Sequence, residues 1–150
     1  MQGEDMTFTS DERHYLAAQH RGHLATAGPG GAPQVKPVAY FWNAETETID
    51  VGGPKLSRSQ KSRNVRTDPR VSFVVDDEAP TPVGPGGQRG RGLEIRGTAV
   101  LLTLDDPLLP GFSAEVLRIR PRRIVAWNID GPGANIRDVT PPTTEARPRP

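Results

Sequence analysis

The chain has 150 residues, about one domain's length, with 34% hydrophobic residues and 16 glycines, at the low edge of the globular range. No apolar run approaches the roughly 20 residues of a membrane helix, and the acidic start MQGEDMTFTS shows no secretory signal. Having no cysteine excludes disulfide scaffolds, thiolate zinc sites, iron–sulfur clusters and cysteine nucleophiles, and fits a cytoplasmic protein.

Thr9 followed by Glu12 matches a capping box and predicts a helix from Thr9 to Arg21, stopped by Gly22. His23–Ala27 and Gln34–Trp42 read as strands joined by the turn Gly28-Pro29-Gly30-Gly31, hence a hairpin. Thr48–Val51 is a third strand, ended by Gly52-Gly53. Ser57 is then expected to cap a helix that runs to about Thr67 and closes at Asp68-Pro69. Arg70–Val75 and Leu93–Leu102 follow as strands, separated by the Gly/Pro-rich loop Ala79–Gly92. Glu115–Ile119 and Arg123–Ile129 complete the β segments, with a break expected at Pro121.

Short strands with hairpin-like turns and few helices predict a mainly β fold, an antiparallel barrel of six to seven strands with short helices at its rim. Residues 1–140 are expected to form one domain. Residues 141–150 read as a disordered Pro-rich tail with almost nothing to bury.

Net charge is only +1, but six bases crowd into residues 55–70 (Lys55, Arg58, Lys61, Arg63, Arg66, Arg70) against one acid, Asp68. This local excess suits an anionic ligand or a solvated basic helix face. The run Gly52-Gly53-Pro54-Lys55-Leu56-Ser57-Arg58-Ser59-Gln60-Lys61 leads from a strand into a helix N-terminus. It brings backbone N–H groups, hydroxyls and cations together, an arrangement suited to a phosphate. No Walker loop or dinucleotide fingerprint is present.

Elsewhere the signals are weaker. His14, His20 and His23 lack metal-ligand spacing and read as surface or partly packed residues. Asp76-Asp77 and Asp105-Asp106 read as solvated loop pairs, and adjacent strand residues face opposite ways in any case. Trp127 suits either core packing or stacking on a planar cofactor. Tyr40 and Trp42 alternate as an exposed aromatic pair, too little for a nucleic-acid stacking platform without a basic groove around them.

Leu24-Ala25-Thr26, Gly31-x-Pro33-x-Val35-x-Pro37-Val38 and Ile49-Asp50-Val51-Gly52-Gly53 occur in order. They are followed by Ser59-Gln60-Lys61-x-Arg63-Asn64-Val65-Arg66-x-Asp68-Pro69-Arg70-Val71, Gly92-Leu93-Glu94-Ile95-Arg96-Gly97 and Ile119-Arg120-Pro121-Arg122-Arg123-Ile124-Val125-x-Trp127. Over about residues 8–130 this series resembles the pyridoxamine-phosphate-oxidase-like split barrels. The likeness is to their deazaflavin (coenzyme F420) branch, in the subgroup that includes dehydrotetracycline reductases. The resemblance implies a split β-barrel and a homodimer with two cofactor sites at the subunit interface. It assigns the cofactor phosphate to the segment Ser57–Asn64, with Ser57, Arg58, Ser59, Lys61 and Asn64 as contacts after Gly52, Gly53 and Lys55. Lys36, Pro37 and Val38 would run beside the cofactor, and Trp127 would approach it, from the other subunit in one arrangement. Where the family has Arg-Lys after a Ser or Thr, this chain has Gln60-Lys61, so Arg58 or Lys55 would substitute for the missing cation.

F420 carries a lactyl–oligoglutamate tail beyond its phosphate, and the local basic excess suits this more anionic ligand over FMN. The implied activity is an F420H2-dependent reduction of a conjugated C=C or enone in a polycyclic natural product, with no catalytic acid evident. The loop Ala79–Gly92 would shape the substrate side or lie free on the surface. The alternatives are an FMN-dependent oxidoreductase or a non-catalytic flavin or deazaflavin carrier. The partners expected are a second copy and a small-molecule substrate, with no nucleic acid and no membrane.

Overall fold

Thr9 opens the first helix as predicted: its hydroxyl accepts the Glu12 N–H at 3.1 Å, and Glu12 Oε1 accepts the Thr9 N–H at 2.9 Å. The structure, a computed structural model, describes residues 6–140, so the expected tail at 141–150 lies outside the described residues. Helix α1 (Ser10–Ala18) ends earlier than expected, because strand pairing captures the chain before Gly22. The His20 carbonyl accepts the Tyr40 N–H at 3.2 Å, and Arg21 already opposes Ala39. Gly22 is therefore a strand residue, and a Cβ there would lie 2.3 Å from Phe73 Cζ.

The strands are β1 (Arg21–Ala27), β2 (Pro33–Asn43), β3 (Thr48–Gly52), β4 (Arg70–Glu78), β5 (Gly90–Thr103), β6 (Glu115–Trp127) and β7 (Ala134–Asp138). All pairings are antiparallel, in the order β3-β2-β1-β4-β5-β6-β7, and an added β3–β6 pairing closes β1 to β6 into a barrel. Strand β6 meets β3 at Leu117–Ile119 and β7 at Arg123–Trp127. Strand β7 falls in the Gly/Pro-rich stretch after Gly131, where no strand is expected from composition.

Pro121 does not break β6. The register with β5 shifts between Arg96 and Gly97, leaving Arg122 as the extra residue of a bulge that accommodates the proline. Gly97 allows the close approach there, since a Cβ would sit 2.0 Å from the Arg120 carbonyl oxygen. The second helix also differs from expectation. A 3-10 turn (Leu56–Arg58) comes first, and Ser59, not Ser57, caps α2 (Gln60–Thr67).

Leu24, Ile49, Val51, Phe73, Ile95, Leu117, Ile119 and Ile124 fill the barrel. Tyr40 is buried among them, edge-on to Phe73 at 5.3 Å, and its hydroxyl donates to the Leu16 carbonyl at 2.7 Å. Trp42 packs against Phe8 at 5.0 Å, so the expected exposed aromatic pair is instead part of the core and its margin. Among the described residues, no helix is long and apolar enough to cross a membrane.

Three buried carboxylates tie the elements together. Glu12, fully buried, receives Arg137 from β7 at 2.5 and 3.0 Å. Glu47 accepts the N–H groups of Thr7 and Phe8 at 3.1 Å, holding the entering chain to the β2–β3 turn. Asp50 in β3 takes Arg118 of β6, its register partner, in a bidentate pair at 2.8 and 3.0 Å. Only 5% of the Asp50 side chain is exposed. Truncating one partner of such a pair strands the other charge. Asp50→Ala is expected to destabilise the fold by about 3 kcal/mol, read as a lower urea midpoint. A loss under about 1 kcal/mol would mean the pair behaves as a surface ion pair.

Candidate functional site

Strand β3 ends at the barrel seam, and the chain leaves it through Gly52-Gly53-Pro54-Lys55. Two features fix this exit. Gly52 lies against the β5–β6 loop, where a Cβ would be 2.9 Å from the Phe112 ring. Ser113 of the same loop donates its N–H to the Gly53 carbonyl at 3.0 Å, and its hydroxyl donates to that oxygen and accepts the Leu56 N–H, each at 3.2 Å. Lys55 turns the chain in the left-handed region (φ 52°, ψ 42°), a strained conformation for a side-chain-bearing residue. Gly53 is less constrained: the nearest atom to an added Cβ is Leu56 Cδ1 at 3.9 Å.

The two predicted serines separate in role. Ser59 Oγ donates to the Leu56 carbonyl at 2.6 Å and accepts the Ser62 N–H at 3.3 Å, so it serves as the helix cap. Among the described residues the Ser57 hydroxyl has no partner and stands as the available donor. Asn64 is buried and fully used: Nδ2 donates to Thr26 Oγ1 and Gln34 Oε1, both at 2.9 Å, and Oδ1 accepts from Gln60 Nε2 at 2.7 Å. It clamps α2 to β1 and β2 and has no donor left for a phosphate.

That clamp sets the charge geometry. Gln34 and Lys36 point to the same face of β2, and the face that binds Asn64 through Gln34 also brings Lys36 towards Lys61 of α2. Partial burial, with the Lys36 charge adding to it, pushes the Lys61 ammonium below the ordinary lysine value of 10.5. Among the described residues, Lys36, Lys55, Arg58 and Lys61 pair with no carboxylate, whereas Arg70 takes Asp68 at 2.7 Å. Two nearby ammonium groups without a counter-charge fit a multivalent anion, and a phosphate meets that demand. The N–H groups of Gln60 and Lys61 lie at the open first turn of α2, beyond those taken by Ser59.

The remaining predicted residues lie apart from this cluster. Pro37 is exposed on β2, and Val38 is buried in the core. Trp127 closes β6 beside Gly92, where a Cβ would meet its Cζ2 at 2.7 Å. A cleft of about 620 Å³ lies on another face of α2, between Gln60, Arg63, Asn64 and Thr67 and the Gly28–Gly31 turn. It contains Asn64 but neither Lys36 nor Lys61, so this cleft and the unmatched charges lie on different faces of the helix. Sequence reasoning missed Gln34, Thr26 and Ser113, whose roles depend on contacts 30 to 60 residues distant.

The sequence pattern of pyridoxamine 5'-phosphate oxidase matches residues 8–131. A 5a,11a-dehydrotetracycline/5a,11a-dehydrooxytetracycline reductase of Streptomyces rimosus is 42% identical over 142 residues, covering 90% of this chain and 95% of the relative. Among solved structures, one described as an F420 reductase superposes with a TM-score of 0.57 at 23% identity, covering 78% of this chain and 98% of that one. A heme binding protein from Mycobacterium smegmatis gives a TM-score of 0.62 at 16% identity, covering 89% of this chain and 59% of that one. Both structural likenesses establish the barrel alone. With its barrel, its matched segment and its 42% identical relative, the chain belongs to the pyridoxamine 5'-phosphate oxidase family of split barrels.

Proposed function

We propose that the protein is an F420H2-dependent reductase acting on a conjugated C=C or enone of a dehydrotetracycline-type polycycle. The similarity to a dehydrotetracycline reductase over 90% of this chain supports the reaction class. The single observation that supports an anionic, phosphate-bearing cofactor is the uncompensated Lys36–Lys61 pair. Lys36 and Lys61 hold the phosphate, with the Ser57 hydroxyl and the first-turn N–H groups of α2 as further donors. Lys55 and Arg58 supply the charge that Gln60 does not. A reduced deazaflavin held there would supply the hydride chemistry. The chain's part is to hold that donor against the acceptor and to keep water from the reacting atoms.

The proposed assembly is a homodimer. Val35 is 62% exposed on the outer face of β2, on the same face as exposed Pro33 and Pro37. This apolar strip lies on the face of β2 opposite Lys36, and a second subunit seated along it would flank the strand that carries that lysine. FMN is the alternative cofactor, and the two are separated by titrating the purified protein with each in turn. Tight F420 and weak FMN binding supports the reading, and the reverse overturns its cofactor.

Lys61→Ala is expected to weaken cofactor affinity about ten- to a hundredfold, the scale of a lost charge-assisted hydrogen bond, without shifting the melting temperature. Unchanged affinity by fluorescence titration would remove the phosphate assignment. The pH dependence follows from the lowered Lys61 value. A phosphate favours protonated Lys61, so affinity is full near neutrality. It falls as pH rises through the free protein's Lys61 value, below the ordinary 10.5. Lys61→Arg should abolish that alkaline fall, and an unaltered fall would place the titrating group elsewhere.

Ser113→Ala is expected to release the Gly53–Leu56 exit, raising the cofactor Kd several-fold while turnover at saturating cofactor is kept. Ser113→Thr should restore affinity. Equal Kd values for wild type and both variants would reduce the brace to a structural contact.

A further inference from the structure

The pair Asp76-Asp77 is not the solvated loop expected from its sequence. Both residues lie in β4, with Asp76 exposed and Asp77 turned to the other face. There Asp77 receives the Tyr15 hydroxyl from α1 at 2.7 Å, and Arg91 from β5 at 2.8 and 3.1 Å. The Arg91 guanidinium carbon sits 5.4 Å from the Tyr15 ring centroid. This triad borders a cleft of about 390 Å³ lined by His14, Tyr15, Gln19, Arg91, Asn128 and Ile129, with Ala18 and Asp11 at its α1 side. The volume falls within the roughly 300–1,000 Å³ of small-molecule sites.

The cleft is built on fixed parts. Asn128, at φ 57°, donates from Nδ2 to the Gly90 carbonyl and accepts the Gly133 N–H at Oδ1, both at 2.8 Å. Gly84 of the long β4–β5 loop approaches so closely that a Cβ would lie 2.4 Å from Asn128 Nδ2. That loop therefore borders the cleft's Asn128 side. Asn128 directly follows Trp127, and Arg91 directly precedes Gly92, against which the Trp127 ring packs.

Charge distinguishes this cleft from the Lys36–Lys61 site. Asp77 already balances Arg91, and Asp11 adds a further acid, so a phosphate is not favoured here. Arg91 has five N–H donors, and two are spent on Asp77. A planar, donor-rich guanidinium beside the Tyr15 ring and Ile129 suits a flat ring system edged with acceptor oxygens. Burial, and then hydrogen bonding to Asp77, push the Tyr15 phenol well above its ordinary value, so it stays protonated and orients Asp77.

We infer that this cleft binds the substrate of the proposed reductase, a planar polycycle carrying keto–enol oxygens, with Arg91 as the donor to those oxygens. The inference rests on the reductase reading and deepens it. Trp127, the residue expected to approach the cofactor, adjoins the cleft through Gly92 and Asn128.

The test compares wild type with two variants. Ala18→Trp fills the cleft from an exposed helix end and removes no hydrogen bond. Arg91→Lys keeps the charge beside Asp77 but loses the planar fork. F420 affinity, KM and kcat for 5a,11a-dehydrotetracycline, and binding of tetracycline as a non-reducible probe are measured on each, with melting temperature as the folding control. Both variants are expected to raise KM and the tetracycline Kd about tenfold or more, with F420 Kd within about twofold of wild type. In Arg91→Lys, kcat should be kept. Unchanged KM and tetracycline binding in folded Ala18→Trp would overturn the cleft as the substrate site while leaving the reductase reading intact. Absence of F420-dependent turnover in the wild type would overturn that reading and this inference with it.

Discussion

Closure of the barrel between β3 and β6 is the constraint on which the remaining structure depends. The seam is only Ile49–Val51 against Leu117–Ile119, and its centre is the Asp50–Arg118 pair. Ile49, Val51, Leu117 and Ile119 bury their side chains inside, so the backbone pairing and the apolar layer support one another. A buried bidentate ion pair adds little net stability over an apolar one, but its geometry admits one register. A one-residue slip would turn Asp50 towards the core and Ile49 outward. The seam thereby sets where β3 ends, and Gly52 then meets Phe112 and Gly53 meets Ser113 of the loop that leads into β6. The exit that carries Lys55 and Ser57 is thus positioned from both sides by the strands that close the barrel.

Helix α2 shows how support and contact are divided over a few residues. Its eight residues carry no strong apolar stripe, and tertiary contacts must hold it in place. Val65 is buried, and so are the polar residues Ser62 and Asn64. Their hydrogen bonds to the Leu56 carbonyl and to Thr26 and Gln34 anchor the helix. With these inward, the helix period turns Lys61 towards Lys36 and leaves Arg63 and Arg66 to bind carbonyls of the preceding turn. The six clustered bases are therefore not equivalent. Arg70 is neutralised by Asp68 and Arg63 and Arg66 brace the chain, while Lys55, Arg58 and Lys61 keep uncompensated charge.

Much of this was legible from local chemistry. The capping box at Thr9, the hairpin through Gly28–Gly31 and the β-branched strands all depend on neighbours within a few positions, and each formed. The misreadings share one cause, the override of a local signal by a distant partner. Gly22 and Pro121 look like breakers, yet one accommodates the Phe73 ring and the other sits in a bulge opposite Gly97. Ser57 and Ser59 are equivalent in sequence, and only the 3-10 turn before the helix decides which one caps. Asn64 reads as a ligand contact because it lies in a cationic run, but its three partners come from Thr26, Gln34 and Gln60. Strand β7 was invisible because its Gly/Pro flanks suggest a tail, while Arg137 finds its carboxylate 125 residues away.

The buried carboxylates expose a further division of labour. Glu12, Glu47 and Asp50 each satisfy their charge with fixed internal donors, and each joins segments that the sheet alone would leave loose. Asp77 is built in the same way but stands at the edge of a cleft, with half-buried Arg91 retaining donors beyond those it gives to Asp77. The lysine cluster is the opposite case, with cations held close and no internal acid supplied. Together they give the barrel two polar environments of different sign balance: one with cations in excess, and one in which Asp77 balances Arg91 and Asp11 adds a further acid. Under the proposed function that asymmetry has a use: a charged cofactor would be held by its phosphate end and a less charged acceptor by its ring oxygens, so neither would compete for the other's place.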